Sequence, residues 1–150
     1  MLVIRKFQQK DAKEVSDLIR KTLKQVNRKD YSNEVIENLC EIYSPKNIIN
    51  SSHKKQIFIA VINSQIVGTA SLENNVIKGV FVDPEFHDRK IGTKLMKKIE
   101  ELAKSKGIKK LILPSSITAK SFYKKMGYKK IKEIIDKKCG KVILMEKNIS

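Results

Sequence analysis

Residues 87–95 read His-Asp-Arg-Lys-Ile-Gly-Thr-Lys-Leu, a basic turn that uses one of only six glycines in the chain. It follows an apolar run that ends at Pro84 and precedes the amphipathic stretch from Leu95 to Gly107. The chemistry open to such a turn is anion capture. A helix that starts near Gly92 leaves main-chain N–H groups without partners at its first turn, and its dipole is positive there. Arg89, Lys90 and Lys94 add positive charge. A solvated basic turn ahead of a helix is the other reading of the same residues. The familiar nucleotide patterns are missing: neither GxxxxGK[ST] nor GxGxxG occurs.

Other reactive side chains form no recognisable constellation. Cys40 and Cys139 are far apart in sequence, with no CxxC or Cys/His spacing, and read as reduced thiols rather than a metal site or a disulfide. His53 and His87 pair with no nucleophile in a Ser-His-Asp or Cys-His pattern. In "AKSFYKKM", Ala119, Phe122/Tyr123 and Met126 share one helical face, so Tyr123 is either core or functional.

The elements that would position these groups follow from periodicity. A first strand is expected at 2–7. A helix follows at 11–26, with Asp11 as N-cap and Val15, Leu18, Ile19 and Val26 on one face. A second helix is expected at 31–44, stopped by Pro45, with Val35, Ile36, Leu39, Cys40 and Tyr43 inward. From Gln56 to Pro84 the chain is β-branched and punctuated by "NS" and "ENN", which suits three antiparallel strands. A helix then runs to a glycine stop at Gly107. A strand at 108–114, a short helix ending at Gly127, and a hairpin with Cys139-Gly140 in its turn complete the order β-α-α-β-β-β-α-β-α-β-β. Three meandering strands leading into a strand–helix–strand crossover predict an α+β fold. Its sheet is mixed and mostly antiparallel, with a central parallel crossover. The absence of repeats or linkers predicts a single domain over 1–150.

Composition limits the setting. Thirty-two Lys and Arg against sixteen Asp and Glu give a formal charge of +16, which invites a polyanionic partner. The excess is nearly all lysine spread along the chain, with four arginines and no Trp, unlike readers that use Arg forks and stacking aromatics. Nucleic acid is therefore not the expected partner. No apolar run approaches the roughly 20 residues that span a bilayer, and the amino terminus lacks a signal-peptide plan. A cytoplasmic protein with no membrane partner is expected.

"VFVDPEFHDRKIGTKLM" resembles the coenzyme A loop of the GCN5-related N-acetyltransferases, which reads Gln/Arg-x-x-Gly-x-Gly/Ala after Val-x-Pro-Glu. "SSITAKSFYKKMGY" resembles that family's downstream motif, an Ala followed by Phe-Tyr and then Gly-Phe or Gly-Tyr. Together with "IVGTASL" the likeness covers residues 56–147, and residues 1–55 in outline. His87 stands where the family has Gln or Arg, and Lys90 stands where it has its first Gly. A negative φ at Lys90 would preserve the main-chain cradle; a positive φ would favour glycine.

The resemblance implies acetyl-CoA as cofactor. Its diphosphate would lie on the N–H groups of His87, Asp88, Arg89 and Lys90, then Ile91, Gly92 and Thr93. The pantetheine arm would pair with Phe81 and Val82, and Ser116 replaces an Asn that many members use to hold that arm. The strand before the loop and the one at 108–114 would splay apart to open a cleft. The implied reaction is direct attack of a neutral amine on the thioester in a ternary complex. Tyr123 would be the acid for the departing thiolate, with Glu73 or a chain of waters as the base. The acceptor, a small-molecule or peptide amine, would be met by the least family-like segment, where Tyr31 and Tyr43 are candidates beside Asp30 and Glu34. The alternative is another class: a basic nucleic-acid or ribosome-binding module, or a non-catalytic acetyl-CoA sensor, on the same fold. An exposed last strand leaves a homodimer open.

Overall fold

The computed structural model describes residues 1–150, apart from the side chain of Asp88. The strands are β1 (Leu2–Lys6), β2 (Gln56–Ile62), β3 (Gln65–Glu73), β4 (Val76–Val82), β5 (Lys110–Ser115), β6 (Lys129–Asp136) and β7 (Gly140–Asn148). The helices are α1 (Ala12–Gln25), α2 (Asn33–Ile42), α3 (Pro45–Ser52), α4 (Ile91–Ser105) and α5 (Lys120–Lys125). Short 3₁₀ segments precede α1, follow it and precede α4. The strands form one seven-stranded sheet in the order β1-β2-β3-β4-β5-β7-β6. Every pairing is antiparallel except that of β4 with β5. The mixed, mostly antiparallel α+β architecture expected from the sequence is what forms.

The run "IFIAVI" shows why the sheet is covered on both faces. Side chains alternate along a strand. Ile57 and Ile59 pack with Val15, Leu18, Ile19 and Leu23 of α1, together with Ile36 and Ile48 of α2 and α3. Phe58 and Ala60 join Leu95, Met96, Ile99 and Ala103 of α4 on the opposite side. Burial on both faces makes the run continuously apolar rather than alternating.

Three local expectations need correction. Asp11 precedes α1 but does not cap it with its side chain. Its carboxylate instead takes both guanidinium arms of Arg5, at 2.9 and 3.0 Å, and the Gln8 amide at 2.8 Å. The second helix is capped by Ser32, which accepts the Val35 amide, and buries only Ile36 fully, while Val35, Leu39, Cys40 and Tyr43 are half-buried. Pro45 does not simply stop that helix; it opens α3. Ser44 accepts the Asn47 amide at 3.3 Å as its N-cap, and proline suits the first helical position, where no N–H bond is lost.

Two features of the sheet prepare the site. β4 carries an extra residue against β3: Thr69 pairs with Phe81 and Ser71 with Lys78, so Gly79 and Val80 oppose Ala70 alone. Gly79 takes φ +62° at this bulge, a conformation that suits a residue without Cβ. At the sheet's far end the β6–β7 hairpin turns through Cys139 into Gly140 at φ +74°, as its sequence predicts.

Candidate active site

β4 and β5 run parallel but share only one register pair, Val76 with Ile112. The Ile112 amide also donates to the Asn75 carbonyl at 3.0 Å. Beyond that rung the strands part and a cleft of about 710 Å³ opens. Ile77 to Val82 form one wall and Pro114 to Ser116 the other. Gly92 and Thr93 of α4, with Phe122 and Tyr123 of α5, line one end; Tyr31, Leu39, Tyr43, Cys139 and Val142 close over the rest.

The turn into α4 is fixed from behind. Asp83, almost fully buried, accepts the Glu85 amide at 3.0 Å and the Lys21 ammonium at 3.0 Å, and its own amide donates to Val67 at 2.9 Å. Pro84 opens the 3₁₀ turn that follows. Lys90 ends it in the left-handed region at φ 57°, ψ 28°. The condition set by the sequence, a negative φ at Lys90, is not met: this position has the geometry that favours glycine, and a lysine occupies it. Lys90 is also the N-cap of α4 and makes no side-chain capping bond. The helix's first N–H groups, on Ile91, Gly92 and Thr93, lack intrahelical acceptors.

The loop residues divide by role. His87, Lys90, Gly92 and Thr93 line the cleft. Ile91 is 1% exposed, with its side chain in the core, so only its main chain can serve a ligand. Arg89 is not among the cleft residues; its guanidinium lies over the Phe86 ring, 5.2 Å from the centroid. His87 Nε2 donates to the Val82 carbonyl at 2.9 Å. The side chain of Asp88 lies outside the described residues. Gly92 has no left-handed φ, and its crowding is one of proximity: a Cβ there would come within 3.2 Å of Phe122 Cζ, a ring that would have to give by a few tenths of an ångström.

Tyr123 and Tyr43 face the same cleft. Neither hydroxyl is bonded to a described residue, and no described buried side-chain N or O lacks a partner, so both hydroxyls open to the cleft. Burial, then the neighbouring Tyr43, pushes the Tyr123 phenol above its ordinary range. Burial, then the Cys139 thiol, holds Tyr43 up at about 12. Both are neutral donors at working pH. The Tyr31 hydroxyl is already committed, donating to the Lys141 carbonyl at 2.9 Å and accepting the Ile117 amide at 2.7 Å. Ser116 lines the cleft and its Oγ accepts the Ala119 amide at 3.1 Å, which sets the turn into α5.

Glu73 does not join them. It pairs with Val76 across the β3–β4 turn, at the closed end of β4, and bonds Lys78 Nζ at 3.2 Å. Six residues of strand, roughly 20 Å, separate Val76 from Val82. Among the described residues lining the cleft there is no carboxylate. Cys139 and Phe122, by contrast, reach the cleft without having been candidates. Nothing local in the sequence marks Cys139, because the long-range pairing of β7 with β5 carries its hairpin there.

A model of the acetyltransferase (GNAT) domain matches residues 27–149, and the chain belongs to that family, the GCN5-related N-acetyltransferases, which use acetyl-CoA. The uncharacterized N-acetyltransferase YafP of Escherichia coli K12 is 38% identical over 80 residues. That match spans 53% of this chain and half the length of the relative. The PaiA N-acetyltransferase of Thermoplasma acidophilum, solved in complex with coenzyme A, superposes with a TM-score of 0.85 at 26% identity, over 99% of both chains. A GCN5-related N-acetyltransferase from Rhodopseudomonas palustris shares the fold at a TM-score of 0.92 and 24% identity, covering 97% of this chain and 94% of its own.

Proposed function

We propose that this chain transfers the acetyl group of acetyl-CoA to a primary amine by direct attack in a ternary complex. The observation that carries the reading is the parting of β4 and β5 after a single rung, with the start of α4 and the Tyr123 hydroxyl both opening into the gap.

Acetyl-CoA supplies the thioester that the amine attacks and the thiol that leaves. The N–H groups of Ile91, Gly92 and Thr93, with the dipole of α4, receive its diphosphate, and Lys90 adds charge beside them. The edge of β4 near Phe81 and Val82 lacks a strand partner on the β5 side, so its main chain can take an extended arm, with the Val82 carbonyl shared with His87 Nε2. Tyr123, held neutral, donates a proton to the departing sulfur, whose thiol pKa near 8.5 asks for little help. With no carboxylate on the cleft wall among the described residues, the amine gives up its proton to water rather than to Glu73. Tyr43 stands on the acceptor side, where its open hydroxyl can accept or donate to the amine.

Thermal unfolding tests the reading directly. Acetyl-CoA or CoA at 100 times its dissociation constant should add roughly 2.7 kcal/mol, a shift of several degrees that survives moderate salt. ATP and duplex DNA should give no such shift. A DNA shift that disappears with salt, without a CoA shift, would replace this reading with a polyanion-binding module.

A further inference from the structure

Among the described residues, every buried polar side chain but one has a hydrogen-bond partner. The exception is Asn27, 8% exposed. Its main-chain carbonyl accepts the Asp30 amide at 3.0 Å, but its side-chain amide bonds to no described residue. That amide is not sealed in, since no described side-chain N or O is both fully covered and unpaired. Asn27 lines the cleft, and its oxygen and nitrogen emerge there. A buried amide without a partner is costly, so a ligand that supplies one gains by doing so. Water fills the role in the free protein, and a ligand that displaces it must match both its donor and its acceptor.

The fold fixes where this amide stands. Lys21 bonds Asp83 at 3.0 Å and the Thr22 hydroxyl lies 3.5 Å from the Val82 carbonyl, so α1 ends beside the last residues of β4. Asp30 accepts the Thr118 hydroxyl at 2.7 Å and Tyr31 the Ile117 amide, so the chain crosses from there to the turn after β5. Residues 27–31 therefore bridge the open end of the gap between the parted strands. They do so on the face covered by α1 and α2, whereas α4 packs on the other. Leu23 packs with Tyr31, Leu39 and Tyr43, and Asn27 follows it by about one helical turn. The amide thus belongs to the wall of Tyr43, not to the start of α4.

This wall is neutral. Leu23, Val26 and Leu39 are apolar, and the Tyr31 hydroxyl is bonded on both sides. Of the lysines that line the cleft, Lys78 is paired with Glu73 at 3.2 Å, and Lys29 and Lys90 are solvent-exposed. We infer that Asn27 is a specificity-determining residue for the acceptor: its amide hydrogen-bonds an uncharged polar group, an amide or a hydroxyl, on the molecule whose amine is acetylated. The inference rests on the acetyl-transfer reading above. An Asn side chain accepts through its oxygen and donates through its nitrogen. A neutral amide or hydroxyl engages both. A carboxylate only accepts, an ammonium only donates, and an alkyl chain leaves the amide unpaired.

Primary amines of matched length decide the matter, with release of the CoA thiol as readout. Amino amides from glycinamide upward and amino alcohols are compared with amino acids, diamines and alkylamines. The best neutral polar member should exceed the other three of its length by about tenfold or more in kcat/KM. Whether amides or alcohols lead separates the two groups. Asn27→Leu should bring that acceptor down to the level of the alkylamine, mainly through KM, and Asn27→Asp should turn the preference toward diamines. The acetyl-CoA dissociation constant, read by calorimetry, should be unmoved in both. Tm of ligand-free Asn27→Leu should not fall, because no bond to the rest of the protein is lost. Preference of the parent protein for a charged or alkyl series, or a neutral preference that survives in Asn27→Leu, overturns the inference while leaving acetyl transfer standing. Weaker acetyl-CoA binding in Asn27→Leu would assign the amide to the cofactor's arm, and a Tm lower by several degrees would make it structural; either result also overturns it. Binding of acetyl-CoA with none of these amines turned over, or no binding at all, overturns the transfer reading and this inference with it.

Discussion

The Tyr31 hydroxyl accepts the Ile117 amide at 2.7 Å, joining residues 86 positions apart in the chain. The same oxygen donates to Lys141, so one side chain ties the entry to α2, the turn after β5 and the last strand together over the cleft. Its ring also lies against Gly140, where a Cβ would come within 3.1 Å of it. Tyr31→Phe keeps the ring and removes both bonds. The loss should be about 1–2 kcal/mol, seen as a fall of several degrees in Tm. The KM for the acceptor should rise while the affinity for acetyl-CoA holds, if the staple roofs the side of the cleft proposed above for the acceptor. A Tm within a degree of the parent protein would show that the bonds carry no net stability.

Lys90 gives a test of backbone against charge. Its left-handed φ costs a lysine about 1 kcal/mol and a β-branched residue more. Lys90→Gly should therefore leave stability level or slightly higher, and Lys90→Val should lower it by about 1–2 kcal/mol in urea unfolding. The glycine variant should also weaken acetyl-CoA binding by less than about tenfold, with a salt dependence shallower than that of the parent. A large loss of affinity at every salt concentration would mean that the ammonium does more than attract.

Gly92 separates binding from stability. An alanine there gains helix propensity, up to about 1 kcal/mol, yet its methyl meets the Phe122 ring at 3.2 Å. Gly92→Ala should hold Tm within a few degrees and raise the acetyl-CoA dissociation constant about tenfold, by pushing Phe122 toward the ligand. Equal affinity by calorimetry would show that the ring yields freely.

Tyr123→Phe removes only the hydroxyl that opens into the cleft. Turnover should slow by about 10²–10⁴-fold with acetyl-CoA binding intact. An unchanged rate removes Tyr123 from the mechanism and leaves it as core, edge-on to Phe122 and Tyr128 at 5.2 and 6.1 Å.

Alkaline pH should destabilise the protein early. Tyr43 titrates at about 12 when folded against an ordinary 10.0, chiefly through burial. Tyr123 and Tyr128 are raised as well, the latter by burial and then by its bond to Glu100. Raised acids keep protons that the unfolded chain gives up, so their contribution is complete below pH 10 and declines as pH rises through 10 toward 12. Urea midpoints between pH 8 and pH 11 should fall past pH 10, and Tyr43→Phe should flatten the decline. A midpoint that stays level would contradict the burial of these phenols.

Much of the architecture could be read in advance because it is locally encoded. The continuous β-branched run of β2, the helical spacing of apolar residues from Ile91 to Ala103 and the Gly107 stop each depend on neighbours in sequence. α3 carries its signal in Ser44 followed by Pro45: a proline alone reads as an end, and an N-cap before it makes it a beginning. Glu73 stands apart from the cleft lining for a different reason. Its distance from the cleft depends on the length of β4 and on which end β5 leaves, and neither is visible in a single strand's pattern. Lys78 and Cys139 are not legible as neighbours of one cleft for the same cause: the β4–β5 and β5–β7 pairings that bring them there join residues 28 or more positions apart.

The lone rung between Val76 and Ile112 makes the middle of the sheet a seam. Sheets ordinarily loosen from their edges, yet here four well-laddered strands meet three others across a joint pinned at one end. Amides of β4 that face the gap trade with water although they lie at the molecule's centre, so deuterium should enter there sooner than in β2 or β3. An arm laid along β4 would stitch that joint along its length, and binding its ligand would then be the last step in building the sheet.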